Sequence, residues 1–149
     1  MWIYPKGIKV SQVAYWISDE ASSFIIQESQ RKYPCETGGI LVGNREMEKF
    51  KIEVAIGPGP NAFHKKYSFS RDGMYAQKQL DQIVDQSSGK WDYLGEWHSH
   101  PQKSGPSIRD LDSLKTIARD PRYVIETPIL GLSILENDMW IFYCFSVNT

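Results

Sequence analysis

The sequence is poor in cysteine and has no motif that would pair the two it contains. Cys35 and Cys144 stand far apart, neither belongs to a CxxC, and Cys144 sits in an apolar run where a free thiol behaves as a small hydrophobe. At 149 residues the chain is long enough to bury a core without disulfide or metal staples. An excess of charge of one sign is also missing. The formal charge is −1 and no long basic or acidic run occurs, which argues against a phosphate-backbone-binding surface. The densest cationic spot, His64-Lys65-Lys66, is small and reads as a solvated loop. No apolar run approaches the roughly 18 to 20 residues that span a bilayer, and no charged-then-apolar leader opens the chain. The expectation is a reduced, cytoplasmic protein with neither nucleic acid nor membrane as partner.

What is present is the composition of an ordinary folded domain: 41% hydrophobic, 23% charged and 13% aromatic residues. A single domain over residues 1–149 is expected, without internal repeat, low-complexity tract or linker. Ile8, Val10, Val13, Tyr15 and Ile17 suggest one or two strands, and Trp2, Tyr4 and Trp16 are aromatics suited to an interface or to core. Ser18 followed by Asp19 and Glu20 is a helix start, and Pro34 ends the helical spacing, predicting a helix from about Asp19 to Tyr33. Gly38 to Gly43 reads as a buried strand and Asn44-Arg45-Glu46 as a turn. Phe50, Ile52, Val54 and Ile56 alternate with Lys51, Glu53 and Ala55, the pattern of a half-buried strand.

Pro58 to Asn61 predicts a loop and Tyr67 to Ser70 a brief strand. A second helix begins at Asp72, with Ala76, Leu80, Ile83 and Val84 on one face, and stops at Ser87-Ser88-Gly89. Residues 91–99 return to strand, and a third helix spans Ser107 to Ala118. Three strands then follow, Tyr123 to Glu126, Ile129 to Leu135 and Met139 to Phe145, the last two joined as a hairpin. Single helices among strands imply an α/β fold with one mixed sheet and helices on its faces.

The stretch EWHSHPQKSGPSIRD, residues 96–110, carries the chemistry. His98 and His100 are two apart, so on a strand both imidazoles project to one side and can converge on an ion. A catalytic zinc needs three protein donors and an open position for water. Asp110 is the carboxylate with a route to such an ion, because the turn-rich Pro101 to Pro106 loop can fold the next helix back over the strand end. Ser107-Ile108-Arg109-Asp110 equally matches a helix capping box. A hydrolytic site also needs a general base. Glu96 on the same strand and Glu36 before the Gly38-Gly39 strand both qualify, and spacing does not choose between them.

Glu36-Thr37-Gly38-Gly39-Ile40-Leu41-Val42-Gly43, Gly95-Glu96-Trp97-His98-Ser99-His100-Pro101 and Ser107-Ile108-Arg109-Asp110 together resemble the JAMM metalloproteases of the JAB/MPN/Mov34 family. Three separated parts in the right order make the match far more specific than any one part. The resemblance implies that His98, His100 and Asp110 hold Zn2+ and that Glu36 is the general base. It gives Ser107 the oxyanion and Glu96 a structural or substrate-facing role. It also implies a curved mixed sheet with a long helix on each side. Six residues separate His100 from Ser107, a shorter spacing than in many family members, and this bears on how Ser107 and Asp110 approach the ion.

The GEWHSHP and YSFSRD stretches are most similar to bacterial members, in particular the deconjugating peptidases of CBASS anti-phage operons. The expected activity is that of a zinc isopeptidase or peptidase cutting after the C-terminal residue of a conjugated protein. The expected substrate is a ubiquitin-like modifier or a ligated cGAS/DncV-like nucleotidyltransferase, joined through an isopeptide or C-terminal amide bond. A non-catalytic MPN-fold interaction module is the alternative, and the presence of every ligand speaks against it. A deaminase would want His-x-Glu and a later Pro-Cys-x-x-Cys. A barrel hydrolase would need roughly 250 residues. A cysteine peptidase built on Cys35 has no further support.

Overall fold

The computed structural model describes residues 9–147, so the expectations at Trp2, Tyr4 and Ile8 lie outside the described residues. Strands β1 (Val10–Gln12) and β2 (Tyr15–Ile17) precede helix α1 (Asp19–Lys32). Strands β3 (Gly38–Glu46), β4 (Lys49–Ile56), β5 (Phe63–His64) and β6 (Phe69–Ser70) lead to helix α2 (Gly73–Gln86). Strand β7 (Asp92–His100), helix α3 (Ile108–Arg119), a 3-10 turn (Pro121–Tyr123) and strands β8 (Ile129–Glu136) and β9 (Met139–Val147) complete the order.

Local chemistry fixes the helix ends. Ser18 Oγ accepts from Ala21 N at 3.1 Å, Asp19 and Glu20 occupy the first turn of α1, and Arg31 and Lys32 the last, each sign matching the helix dipole. Asp72 caps α2 by accepting from Tyr75 N, and Gly89 at φ +77 ends it with a bond from its N–H to Val84 O at 2.8 Å.

A curled mixed sheet runs in the order β1-β9-β8-β7-β3-β4-β2, with the β7–β8 and β2–β4 pairs parallel and the others antiparallel. Both faces are covered, as the α/β expectation requires. On one face Ala21 and Ile25 of α1 pack with Leu41, Phe50, Ile52, Leu94 and Trp97. On the other, α2 covers Ile40, Val42 and Tyr93, while Leu111 and Leu114 of α3 cover Leu130, Leu132, Ile134 and Phe145. Each fully buried side chain of this size contributes about 1.5–3 kcal/mol, far more than the exposed ion pairs Arg45–Glu48 and Lys51–Glu46 at about 0–1 kcal/mol.

Three sequence expectations need correction. The alternation in β4 does not continue on one face. Val42 pairs with Val54 but Gly43 pairs with Ile52, so Glu53 is a bulge. Phe50 and Ile52 therefore face α1, whereas Val54 and Ile56 face α2. Asn44 to Glu46 do not turn the chain. They extend β3, and the reversal falls at Met47 and Glu48, where Met47 adopts φ +57 and Glu46 pairs with Lys49. Tyr123 to Glu126 is not a strand. Pro121 lacks an N–H to donate, Asp120 Oδ1 accepts from Arg122 N at 3.0 Å, and Val124 is left-handed at φ +47, so the chain coils into a 3-10 turn. The expected β8–β9 hairpin forms, with Asn137 and Asp138 at φ +48 and +64 as its turn and Glu136 paired with Met139 at the strand end.

A second bulge lies in β7. Leu41 pairs with Gly95 and Val42 with Tyr93, leaving Leu94 extra. A Cβ on Gly95 would stand 1.9 Å from the carbonyl oxygen of Ile129 on β8, so only glycine permits this approach of the strands. Gly95→Ala is expected to cost more than about 2 kcal/mol of stability, read as a lowered urea midpoint. An unchanged midpoint would show that β7 and β8 separate freely at this point.

Candidate active site

Strand β7 pairs with β3 so that His98 lies opposite Gly38. One step further along, Ser99 N donates to Thr37 O at 2.8 Å, which brings Glu36 beside His100. Gly38 is required here, since a Cβ would stand 2.2 Å from Trp97 O and 2.8 Å from the Phe69 ring. Phe69 fills that space and meets the His98 ring edge-on at a centroid distance of 5.7 Å.

The loop after β7 folds α3 back over the strand end. His100 Nδ1 lies 3.0 Å from Ser104 O and therefore carries a proton, so that in the neutral ring the lone pair is on Nε2. That nitrogen is 3.4 Å from Asp110 Oδ2. Asp110 also accepts from Ser107 N at 2.9 Å, while Ser107 Oγ accepts from Asp110 N at 3.0 Å. The capping box and the approach to His100 are thus one arrangement: the cap aims the carboxylate. The six-residue loop is long enough to bring Asp110 there.

Glu36, His98, His100, Ser107 and Asp110 line one cleft of about 650 Å³, together with Lys65 and Arg109. The environments of the two carboxylates differ. Burial pushes the Glu36 carboxyl up to about 7, with His100 opposing and Asp110 adding to the rise. Burial also opposes ionisation of Asp110, but hydrogen bonding to His100 and the charge of the histidines hold it down at about 2. Burial lowers the pKa of His98 and so favours its neutral form. Burial opposes protonation of His100 too, yet the bond and charge of Asp110 raise it.

Among the described residues, no three His, Cys, Asp or Glu side chains are gathered tightly enough to make a ready-made metal group. The donors nevertheless suit a divalent ion. A lone pair on His100 Nε2 faces an ionised Asp110 oxygen, two acceptors in contact that only a proton or a cation reconciles. His98, on the same face of β7, offers a second imidazole in its ligand form.

Glu96, the other candidate base, is engaged elsewhere. Its carboxylate accepts from Arg71 Nε at 2.7 Å and from the Tyr93 hydroxyl, and Arg71 in turn reaches Tyr123 at 3.4 Å. Two residues that the sequence places in a solvated loop, His64 and Lys65, also border the site. His64 Nδ1 contacts Glu36 O at 3.0 Å, and Glu36 N donates to Lys65 O at 2.7 Å, so the β5–β6 hairpin clasps the backbone of Glu36. The signal was the Tyr67 to Ser70 strand, whose partner at Phe63–His64 carries no alternation to reveal it.

Residues 19–141 match the family of prokaryotic homologs of the JAB domain. The chain is 29% identical over 129 residues to a probable metalloprotease of Sinorhizobium fredii, covering 85% of this chain and 79% of that protein. It is 31% identical over 107 residues to a CD-NTase/cGAS isopeptidase of Escherichia coli, and 27% identical over 107 residues to one of Vibrio cholerae. Each of these matches covers 71% of this chain but 65% of the isopeptidase, just under two thirds of its length. A Desulfitobacterium hafniense protein solved in solution superposes with a TM-score of 0.62 at 20% identity, over 90% of this chain and 88% of that one, a likeness of fold.

The raised Glu36 pKa has a consequence for stability in the metal-free protein. A carboxyl raised from 4.5 to about 7 favours the fold fully below pH 4.5, and this contribution is lost as pH rises through about 7. Metal-free Glu36→Gln is therefore expected to melt higher than wild type at pH 8, the gap closing below pH 4.5. Thermal melts across that range check it, and parallel curves would contradict it.

Proposed function

The chain belongs to the family of prokaryotic JAB-domain homologues, and we propose that it is a zinc-dependent isopeptidase in which His98, His100 and Asp110 hold the metal. The observation that carries this reading is the convergence of Glu36, His98, His100, Ser107 and Asp110 on one cleft, from β3, β7 and the start of α3. Zinc, when bound, acts as a Lewis acid that polarises the scissile carbonyl and lowers the pKa of water to about 7. The remaining steps belong to the side chains. Glu36, buried to a pKa of about 7, accepts the proton of the attacking water and passes it to the departing amine. The Ser107 hydroxyl accepts from Asp110 N and has its own O–H to donate to the developing oxyanion. Asp110 stays ionised throughout, and the Ser104 carbonyl keeps His100 in the tautomer that presents Nε2.

The substrate we infer is a protein whose C-terminal residue is joined to another protein through an isopeptide or amide bond. The relatives named CD-NTase/cGAS isopeptidase support a cGAS/DncV-like nucleotidyltransferase as that protein, and with it a role in CBASS anti-phage defence. A ubiquitin-like modifier is the second substrate to assay. The test is a CD-NTase carrying a fluorescent protein fused to its C-terminus, with a ubiquitin-like protein bearing the same fusion alongside.

About one zinc per chain is expected, retained in Glu36→Ala and lost in His98→Ala and Asp110→Asn, by elemental analysis of purified protein. A folded wild type without zinc would instead favour the non-catalytic interaction module. Glu36→Ala should slow fusion cleavage by about 10²- to 10⁴-fold, and Ser107→Ala by about 10²- to 10³-fold. A Glu36→Ala variant cleaving at the wild-type rate would remove that residue from the mechanism.

A further inference from the structure

Thr37 and Ser99 stand between the site residues in sequence, yet their side chains leave the cleft. Successive residues of a strand project to opposite faces. Glu36, His98 and His100 reach the cleft, while Thr37 and Ser99 turn toward α1. There they make a rung closed at both ends. Thr37 N donates to Ser99 Oγ at 2.8 Å, and Ser99 N donates to Thr37 O at 2.8 Å. The Thr37 hydroxyl donates to Glu28 Oε1 of α1 at 3.2 Å. Arg31 holds the same carboxylate through Nη2 at 2.8 Å and Nε at 3.1 Å. Thr37 and Ser99 are 0% exposed and Glu28 6%.

Burying a carboxylate and two hydroxyls is costly unless each finds a partner, and an apolar set of the same shape would be about as stable. What hydrogen bonds add is direction. This rung lies one residue from Glu36 and directly between the two histidines, where a small rotation of either strand end would displace the base relative to the metal donors. We propose that Glu28, Thr37 and Ser99 are positioning residues, which lock the ends of β3 and β7 onto α1 and so fix Glu36 against His98 and His100. This rests on the peptidase reading above.

Thr37→Val keeps the shape and deletes the hydroxyl, and Thr37→Ser keeps the hydroxyl. On the CD-NTase fusion, Thr37→Val is expected to lower kcat by about 10- to 100-fold, with KM within about twofold and zinc content unchanged. Thr37→Ser should restore most of the rate. The double variant Glu36→Gln/Thr37→Val should be no slower than Glu36→Gln alone, because Thr37 acts through Glu36. A readout independent of catalysis is amide hydrogen exchange in the zinc-free protein. Exchange at Thr37 and Ser99 should quicken about tenfold in Thr37→Val, with β4 unaffected. Should Thr37→Val not fold, Ser99→Ala deletes the other half of the rung and carries the same expectations.

An unchanged kcat with unchanged exchange overturns the proposal. So does a double variant whose losses multiply, or a fall in kcat matched by general loss of stability. If the wild type cleaves neither fusion, the peptidase reading fails, and the exchange comparison alone decides whether the rung holds the strand ends.

Discussion

The antiparallel pairing of β3 with β7 sets where Glu36 stands against His98 and His100. Gly38 opposite His98 puts Glu36, which precedes β3, next to His100, which ends β7. The pairing is tight because glycines allow it: Gly38 admits Phe69 and the Trp97 carbonyl, and Gly95 admits the neighbouring strand. It is rigid because both faces are packed, with Trp97 fully buried against α1 and its indole N–H donating to Ile56 O at 3.0 Å. A site assembled on such strands holds its geometry better than one carried on loops.

Three carboxylates stand near the two histidines, Glu36 before β3, Glu96 on β7 and Asp110 in the first turn of α3, and their surroundings differ. Glu36 is buried with little compensation, which pushes its carboxyl up to about 7, a value that suits the proposed general base. Asp110 is buried too, but His100 and the Ser107 amide keep it ionised, as suits the proposed metal donor. Glu96 is paired with Arg71, accepts from the Tyr93 hydroxyl and so ties β7 to the segment before α2. Residue type is the same or nearly so, and environment assigns the role.

The helix caps, the α/β class and the β8–β9 hairpin were legible in sequence because their signals are local: Ser18, Asp72 and Ser107 each bind a backbone N–H three residues on. The β4 bulge was not, because a bulge is a mismatch between two strands and leaves the alternation of one strand untouched. The same holds for the extension of β3 through Glu46 and for the β5–β6 hairpin, whose partners are found only by pairing. The 3-10 turn at Pro121–Tyr123 stands apart: its own signals, Asp120 and Pro121, are local, but the Tyr123 to Glu126 run that overlaps it has the residue types of a strand.

For the site itself, the sequence by itself carried the family and the candidate metal donors. His-x-His, Ser-x-x-Asp and a glutamate before a glycine-flanked strand are chemical types at spacings readable without a fold, and all three lie within residues 19–141, which match the JAB-domain family. Spacing alone does not choose between Glu36 and Glu96, and only the tertiary structure shows that Glu96 is held by an Arg71 side chain arriving from another part of the chain while Glu36 faces the cleft. Only the structure, too, placed Asp110 against His100 and Thr37 against Ser99 and Glu28. These contacts join residues far apart in the chain, and burial, charge and hydrogen-bond direction act through space, which a linear pattern does not record.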